Sequence, residues 1–247
     1  MIKIIKKLYY NELISYIFHT VVYCLKRELK DCHSVLDLGC GKNSPVQYCN
    51  VPYSVGVDIF KPYIKISKGK KIHNDYILAD ITRLNFKPNS FDAVILIDVL
   101  EHLPKEEGER LLDKVELWAR NKIIITTPNG FVPQKDIDQN PFQKHRSGWT
   151  IEEFKKRGYR VYGLAGWKFL RRENIVEDSN AEDSILSTIR FKPRILWFII
   201  SAISQIITYY FPRYAFELFC VKNLNKFRHN TFNLYIYKYT DIQKNQK

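Results

Sequence analysis

The 247-residue sequence has no internal repeat, no low-complexity run and no pair of cysteines in C-x-x-C spacing. With 45% hydrophobic and 26% charged residues it is neither collagen-like nor intrinsically disordered, and it is long enough for one full domain with a sizeable core. Its five cysteines, Cys24, Cys32, Cys40, Cys49 and Cys220, are odd in number and scattered. This argues against a disulfide framework and a structural zinc site, and a reducing compartment is expected. No uninterrupted apolar stretch of a signal peptide follows the N-terminus, because Asn11, Glu12 and His19 break it. A cytoplasmic protein is therefore expected.

Acidic residues are scarce at both ends. Residues 1–30 carry 6 basic and 2 acidic groups, residues 31–183 carry 23 and 22, and residues 184–247 carry 10 and 2. The formal net charge of +13 thus belongs to the termini, while the middle is nearly neutral. A basic total invites a nucleic acid or an anionic membrane as partner. The C-terminal excess surrounds an uncharged stretch, Ile195 to Pro212, bracketed by Arg194 and Arg213. Ser201, Ser204, Gln205 and Thr208 would form one polar stripe on that helix, which favours an interfacial or core-docked helix over a membrane span.

Residues 1–30 read as a basic amphipathic cap helix, with Leu8, Leu13, Ile17, Val21 and Leu25 at helical spacing. The domain proper is expected over 31–247. Short β-type runs at 34–38, 53–57, 76–79, 93–97 and 122–126 alternate with loop or helix segments, the pattern of a parallel α/β sheet. A sixth strand is expected at 159–163. Phe232 to Tyr239 alternates apolar and polar residues as an edge-like seventh strand would. The interval 168–230 reads as a helical insertion, with a capping box at Ser179 to Glu182.

Val35-Leu-Asp-Leu-Gly-Cys-Gly41 is the strongest local signal: an apolar strand ending in an acid and two glycines that allow a sharp turn and close approach to a ligand. The third glycine of a pyrophosphate-binding turn is missing, since Lys42-Asn-Ser-Pro45 follows. Asp58 ends the second strand, where a carboxylate can take two ribose hydroxyls, and Asp80 ends the third. Three carboxylates converging on the strand ends suit a ligand with an amine and an adenosine. Cys40 reads as a small loop residue rather than a reactive thiol.

These motifs, with Phe91-Asp-Ala-Val-Ile-Leu-Ile-Asp98-Val-Leu-Glu101-His102, resemble in order and spacing those of the class I S-adenosylmethionine-dependent methyltransferases. The resemblance covers about Ser34 to Gly163. It implies a Rossmann-like α/β fold with a seven-stranded, mostly parallel sheet and an antiparallel last strand, and S-adenosyl-L-methionine as cofactor. It further implies that Asp37, Gly39, Cys40 and Gly41 hold the methionine part, and Asp58 with Ile59 the ribose. Asp80 and Ile81 would take the adenine, while Asp98 and Val99 would flank the methyl region. The stretch from Asn140 to Leu170 is similar to a prokaryotic subset associated with cell-surface glycans and glycolipids.

Acceptor chemistry is less constrained by the sequence. A hydroxyl acceptor must lose a proton, and the long loop after the fifth strand carries His145. His145 is a candidate base or orienting group; a loop histidine bonded to backbone is the structural alternative. His102 reads first as shaping the cofactor pocket. The nucleic-acid amine motif, an Asp or Asn before two prolines and an aromatic, is replaced by Asp98-Val-Leu-Glu101, and no Pro-Cys pair suits base C5 methylation. The reading is a methyltransferase acting on an oxygen of a sugar or lipid-linked small molecule, peripheral at the inner membrane face. The alternatives are a non-catalytic membrane-surface protein that retains the fold, and an RNA methyltransferase.

Overall fold

A computed structural model describes residues 11–134, 139–172, 186 and 188–224. Seven strands form one sheet: β1 (Ser34–Leu38), β2 (Tyr53–Asp58), β3 (Asp75–Leu78), β4 (Phe91–Ile97), β5 (Ala119–Pro128), β6 (Arg160–Trp167) and β7 (Ala215–Asn223). Their order is β3-β2-β1-β4-β5-β7-β6. β1 to β5 pair in parallel, and β7 lies antiparallel between β5 and β6. The first five strands stand where the apolar runs predict them. The strand order reverses between β1 and β4, so a crevice opens at their C-terminal ends.

Among the described residues the α-helices are α1 (Glu12–Ile17), α2 (Val21–Leu29), α3 (Lys61–Gly69), α4 (Lys105–Trp118), α5 (Ile151–Lys156) and α6 (Arg194–Thr208). One face of the sheet buries Leu36, Leu38, Val94 and Leu96 against Leu111, Val115 and Trp118 of α4 and Phe154 of α5. The other buries Val35, Ile95 and Phe219 against Cys24, Leu25 and Leu29 of α2. Each fully buried aliphatic side chain contributes about 1.5–3 kcal/mol, so this double-sided core holds the strand ends in fixed register.

The N-terminal cap is not one helix. α1 and α2 are separated at His19, whose φ is 46°, and Thr20 caps α2 by accepting from the Tyr23 amide. The part before residue 11 lies outside the described residues. α5 opens on a capping box at Thr150: its hydroxyl accepts from the Glu153 amide, and Glu153 reaches back to the Thr150 amide at 2.8 Å. The one expected at 179–182 lies outside the described residues.

The antiparallel strand is not where alternation placed it. It occupies Ala215–Asn223, and 232–239 lies outside the described residues. β7 sits between two other strands, and Leu218 to Val221 are buried on both faces. Such a strand reads as a continuous apolar run, not as the alternation sought for an edge. The insertion between β6 and β7 consequently spans 168–214 rather than 168–230.

Within it, α6 packs on β6 with its polar stripe inward. Gln205 Oε1 accepts from the Gly166 amide at 2.7 Å, and its Nε2 donates to the Gly163 carbonyl at 3.0 Å. Ser204 Oγ accepts from the Trp167 amide at 2.9 Å, and Ser201 Oγ donates to Ala165 O at 3.2 Å. Gly163 and Gly166 permit this approach, since a Cβ on either would run into the α6 backbone at Thr208 or Ser201. The apolar residues Ile195, Leu196, Ile199, Ile203, Ile206 and Ile207 face outward. No helix among the described residues is long and apolar enough to cross a membrane.

Candidate functional site

The crevice at the strand ends is a cleft of about 200 Å³ that opens to solvent. Gly39 and Gly41, Asp58 and Ile59, Asp80 and Ile81, and Asp98 and Val99 all line it, so four separate sequence motifs meet there. Gly39 has φ 70°, and a Cβ at that position would stand 2.6 Å from Val99 Cγ2. Gly41 has φ 58° with no atom within 4 Å of where its Cβ would be. Here the backbone conformation demands glycine and the space above it is open to a ligand.

Asp58 ties this turn to β2. Its Oδ2 accepts from the Gly41 amide and its Oδ1 from the Phe60 amide, both at 2.8 Å. Burial pushes its pKa up, against the lowering effect of these amides. Asp80 Oδ1 accepts from the amide and hydroxyl of Thr82, at 2.9 and 2.8 Å, which fixes the turn carrying Ile81. Asp98 has φ 53°, and its Oδ1 accepts from Thr126 Oγ1 at 2.8 Å while its amide donates to the same hydroxyl at 3.0 Å.

Asp37 and Cys40 do not line the cleft. Asp37 shares the β1 face that carries Val35, as strand alternation requires, and is buried beneath the Ser44 turn. Its Oδ2 accepts from Ser44 Oγ at 2.5 Å and lies 3.4 Å from His73 Nε2. Asp37 thus supports the glycine turn from behind. Cys40 is buried, and burial next to Asp37 and Asp58 drives its thiol pKa strongly upward, so it is an inert loop residue.

A second group of side chains stands beyond Asp98, on the turn Leu100–His102 and the loop containing His145. The amides of Arg146 and Ser147 donate to Glu101 O at 2.7 and 3.1 Å, and Ser147 Oγ donates to Leu100 O at 3.1 Å. Trp149 Nε1 in turn donates to Ser147 Oγ at 3.1 Å. These bonds bring His145 against His102, with ring centroids 4.9 Å apart. His102 lines the cleft; His145 stands behind it. Each Nδ1 meets a backbone carbonyl, Lys144 O for His102 at 3.3 Å and Val132 O for His145 at 2.5 Å. A carbonyl only accepts, so each Nδ1 carries a proton in these contacts.

Burial, and secondarily His145, depress the His102 pKa to about 4, so that ring is neutral at physiological pH. Burial and then Asp98 push Glu101 well above the ordinary carboxyl range. Glu217 of β7 is raised likewise, by burial and then by Asp98 and Glu101. Sequence reasoning missed Glu217 because it sought β7 elsewhere. It also gave no role to Asn140, which lines the cleft with Arg146 from the His145 loop.

The glycine turn, the open space over Gly41 and the carboxylates of Asp58 and Asp80 fit a cofactor that joins an amino-acid part to an adenosine. A model of the methyltransferase domain family matches residues 36–121. (S)-Coclaurine N-methyltransferase of Thalictrum flavum subsp. glaucum is 32% identical over 106 residues, 39% of this chain, and the match spans only 28% of that enzyme's length. An uncharacterized protein of Methanocaldococcus jannaschii is 30% identical over 183 residues, covering 72% of this chain and 68% of its own. The crystal structure of a SAM-dependent methyltransferase from Archaeoglobus fulgidus superposes with a TM-score of 0.50 at 19% identity, over 86% of this chain and 98% of that one, which shows the common fold. This chain belongs to the class I S-adenosylmethionine-dependent methyltransferases, with S-adenosyl-L-methionine as its cofactor.

Proposed function

We propose that the protein methylates an oxygen of a sugar or lipid-linked small molecule, in the cytoplasm at the inner face of a membrane. The observation that carries this reading is the contact of the His145 ring with His102, which lines the same cleft as Asp98 and Val99. When bound, the cofactor supplies an electrophilic methyl group on a sulfonium, so the chain has to orient the acceptor and ease the loss of its proton. His145 helps activate the acceptor from behind His102, its Nδ1 lying against Val132 O. Gly39 and Gly41 take the methionine part, with Asp37 and Cys40 behind their turn. Asp58 and Ile59 take the ribose, Asp80 and Ile81 the adenine, and Asp98 and Val99 flank the methyl group.

The membrane part of the reading rests on α6. Its outward face is apolar, with Ile203 at 55% and Ile207 at 54% exposure, and it is flanked by exposed Arg190, Lys192, Arg194 and Arg213. An apolar helix face collared by cations suits an anionic lipid surface. (S)-Coclaurine N-methyltransferase is named for a nitrogen acceptor, which makes amines the comparison class.

Labelled methyl transfer from S-adenosylmethionine into a cell extract split into lipid, glycan, RNA and small-molecule amine pools tests the assignment. Label in the lipid or glycan pool, lowered about 10²–10⁴-fold by His145→Ala, is expected. Label confined to amines or RNA overturns it.

A further inference from the structure

We propose that Glu101, His102 and His145 form a binding site for a single divalent transition-metal ion at the acceptor end of the cleft. One carboxylate oxygen and one ring nitrogen from each histidine lie within 4.8 Å of one another. An ion bonded at about 2.1 Å to each of three such atoms separates them by roughly 3–4 Å, so small side-chain rotations close the set.

Three features support a built site. Glu101 is 2% exposed, and its Oε2 is buried with no hydrogen-bond donor among the described residues. A buried carboxylate oxygen without a donor is costly, and a cation relieves that cost directly. Both histidines also have Nδ1 within hydrogen-bond distance of a backbone carbonyl, which fixes the ring plane. This is the outer support that metal-binding histidines characteristically have. Finally, the backbone bonds from Arg146 and Ser147 to Glu101 O hold the two halves of the site together independently of the three side chains.

Two imidazole nitrogens and one carboxylate oxygen suit Zn²⁺, Fe²⁺, Co²⁺ or Mn²⁺ better than the all-oxygen cations Ca²⁺ and Mg²⁺. Three protein ligands leave coordination positions for other oxygens, and His102 lines the cleft. The ion would therefore hold an acceptor hydroxyl beside the methyl group and lower its pKa. This use of the ion rests on the oxygen-acceptor reading and makes His145 act through the metal; ion binding itself does not depend on that reading.

The test uses full-length protein treated with chelator and titrated with Co²⁺, followed by visible absorption, and with Zn²⁺, followed by calorimetry. One ion per chain is expected, with ligand-field bands of nitrogen and oxygen ligation. His145→Ala and Glu101→Gln should each weaken Zn²⁺ binding by more than about tenfold. Glu101→Gln is isosteric and keeps the backbone carbonyl; should it fail to fold, His145→Ala and the wild-type Co²⁺ spectrum decide. S-adenosylhomocysteine binding is measured on the same samples. Protein that binds S-adenosylhomocysteine but takes up no ion, or binds it equally well in both variants, overturns the site. Protein that binds the ion but transfers no methyl to an oxygen acceptor overturns the functional reading instead.

Discussion

Asp58 Oδ2 accepts a hydrogen bond from the Gly41 amide at 2.8 Å, across 17 residues of sequence. The carboxylate at the end of β2 therefore holds the glycine turn after β1 in shape, and in the proposed function it also takes the ribose. Asp58→Ala is expected to weaken S-adenosylhomocysteine binding by at least about tenfold, since a hydrogen bond to a charged group contributes about 1.5–3 kcal/mol. Asp58→Asn keeps an acceptor for the Gly41 amide and should retain more stability than alanine while still losing affinity. Calorimetry and thermal unfolding of both variants check this; equal behaviour would show that the turn does not depend on Asp58.

Gly39→Ala faces two separate penalties. Its φ of 70° is unfavourable for alanine, and the new Cβ would stand 2.6 Å from Val99 Cγ2. Each is of order 1–3 kcal/mol, and urea unfolding should register a combined loss of about 2–6 kcal/mol. Adding Val99→Ala should recover the steric part relative to Gly39→Ala alone but leave the backbone part. Strict additivity of the two variants would refute the contact.

Acid should act on the sheet's opposite edge through Asp92. Burial raises its pKa, but the His33 amide, Arg120 and the Ser34 amide outweigh that, leaving it below the ordinary carboxylate range. A carboxylate depressed in the folded state contributes stability that is present above its unfolded pKa of about 3.9 and is lost as pH falls through the lower folded value. Asp92→Asn should therefore lower stability at neutral pH and flatten its decline below about pH 4. Denaturant titrations over that interval test the sign.

The two faces of α6 should respond oppositely to substitution. Ile203→Glu with Ile207→Glu alters exposed positions and should leave unfolding midpoints nearly unchanged, yet abolish flotation with anionic vesicles. Gln205→Leu leaves the Gly166 amide and the Gly163 carbonyl without their partners and should cost about 1–3 kcal/mol or more. Vesicle binding that survives both glutamates, or that ignores high salt, would remove α6 from the membrane reading.

Much of the site is legible because it lies at strand ends, where local grammar is strong. An apolar run closing on Asp37-Leu-Gly-Cys-Gly41 predicts both the strand and the turn, and Asp58, Asp80 and Asp98 each follow a β-type run. Those four motifs do meet in one cleft. Asp37 shows the limit of such reading. Sequence places it beside the ligand, but side-chain alternation on β1 turns it toward Ser44 and His73.

What the sequence by itself determined was the parallel core of the sheet, the glycine turn and the family, because each depends on residues close together in the chain. The tertiary structure alone decided three other things. It placed Ala215–Asn223 between β5 and β6, as only burial on both faces could show. It turned the polar stripe of α6 inward, since the backbone of β6 at Gly163 and Gly166 needs those side chains as hydrogen-bond partners. And it brought His145 to Glu101 and His102 through hydrogen bonds from its loop to a single carbonyl more than forty residues away, a pairing that no periodicity or spacing encodes.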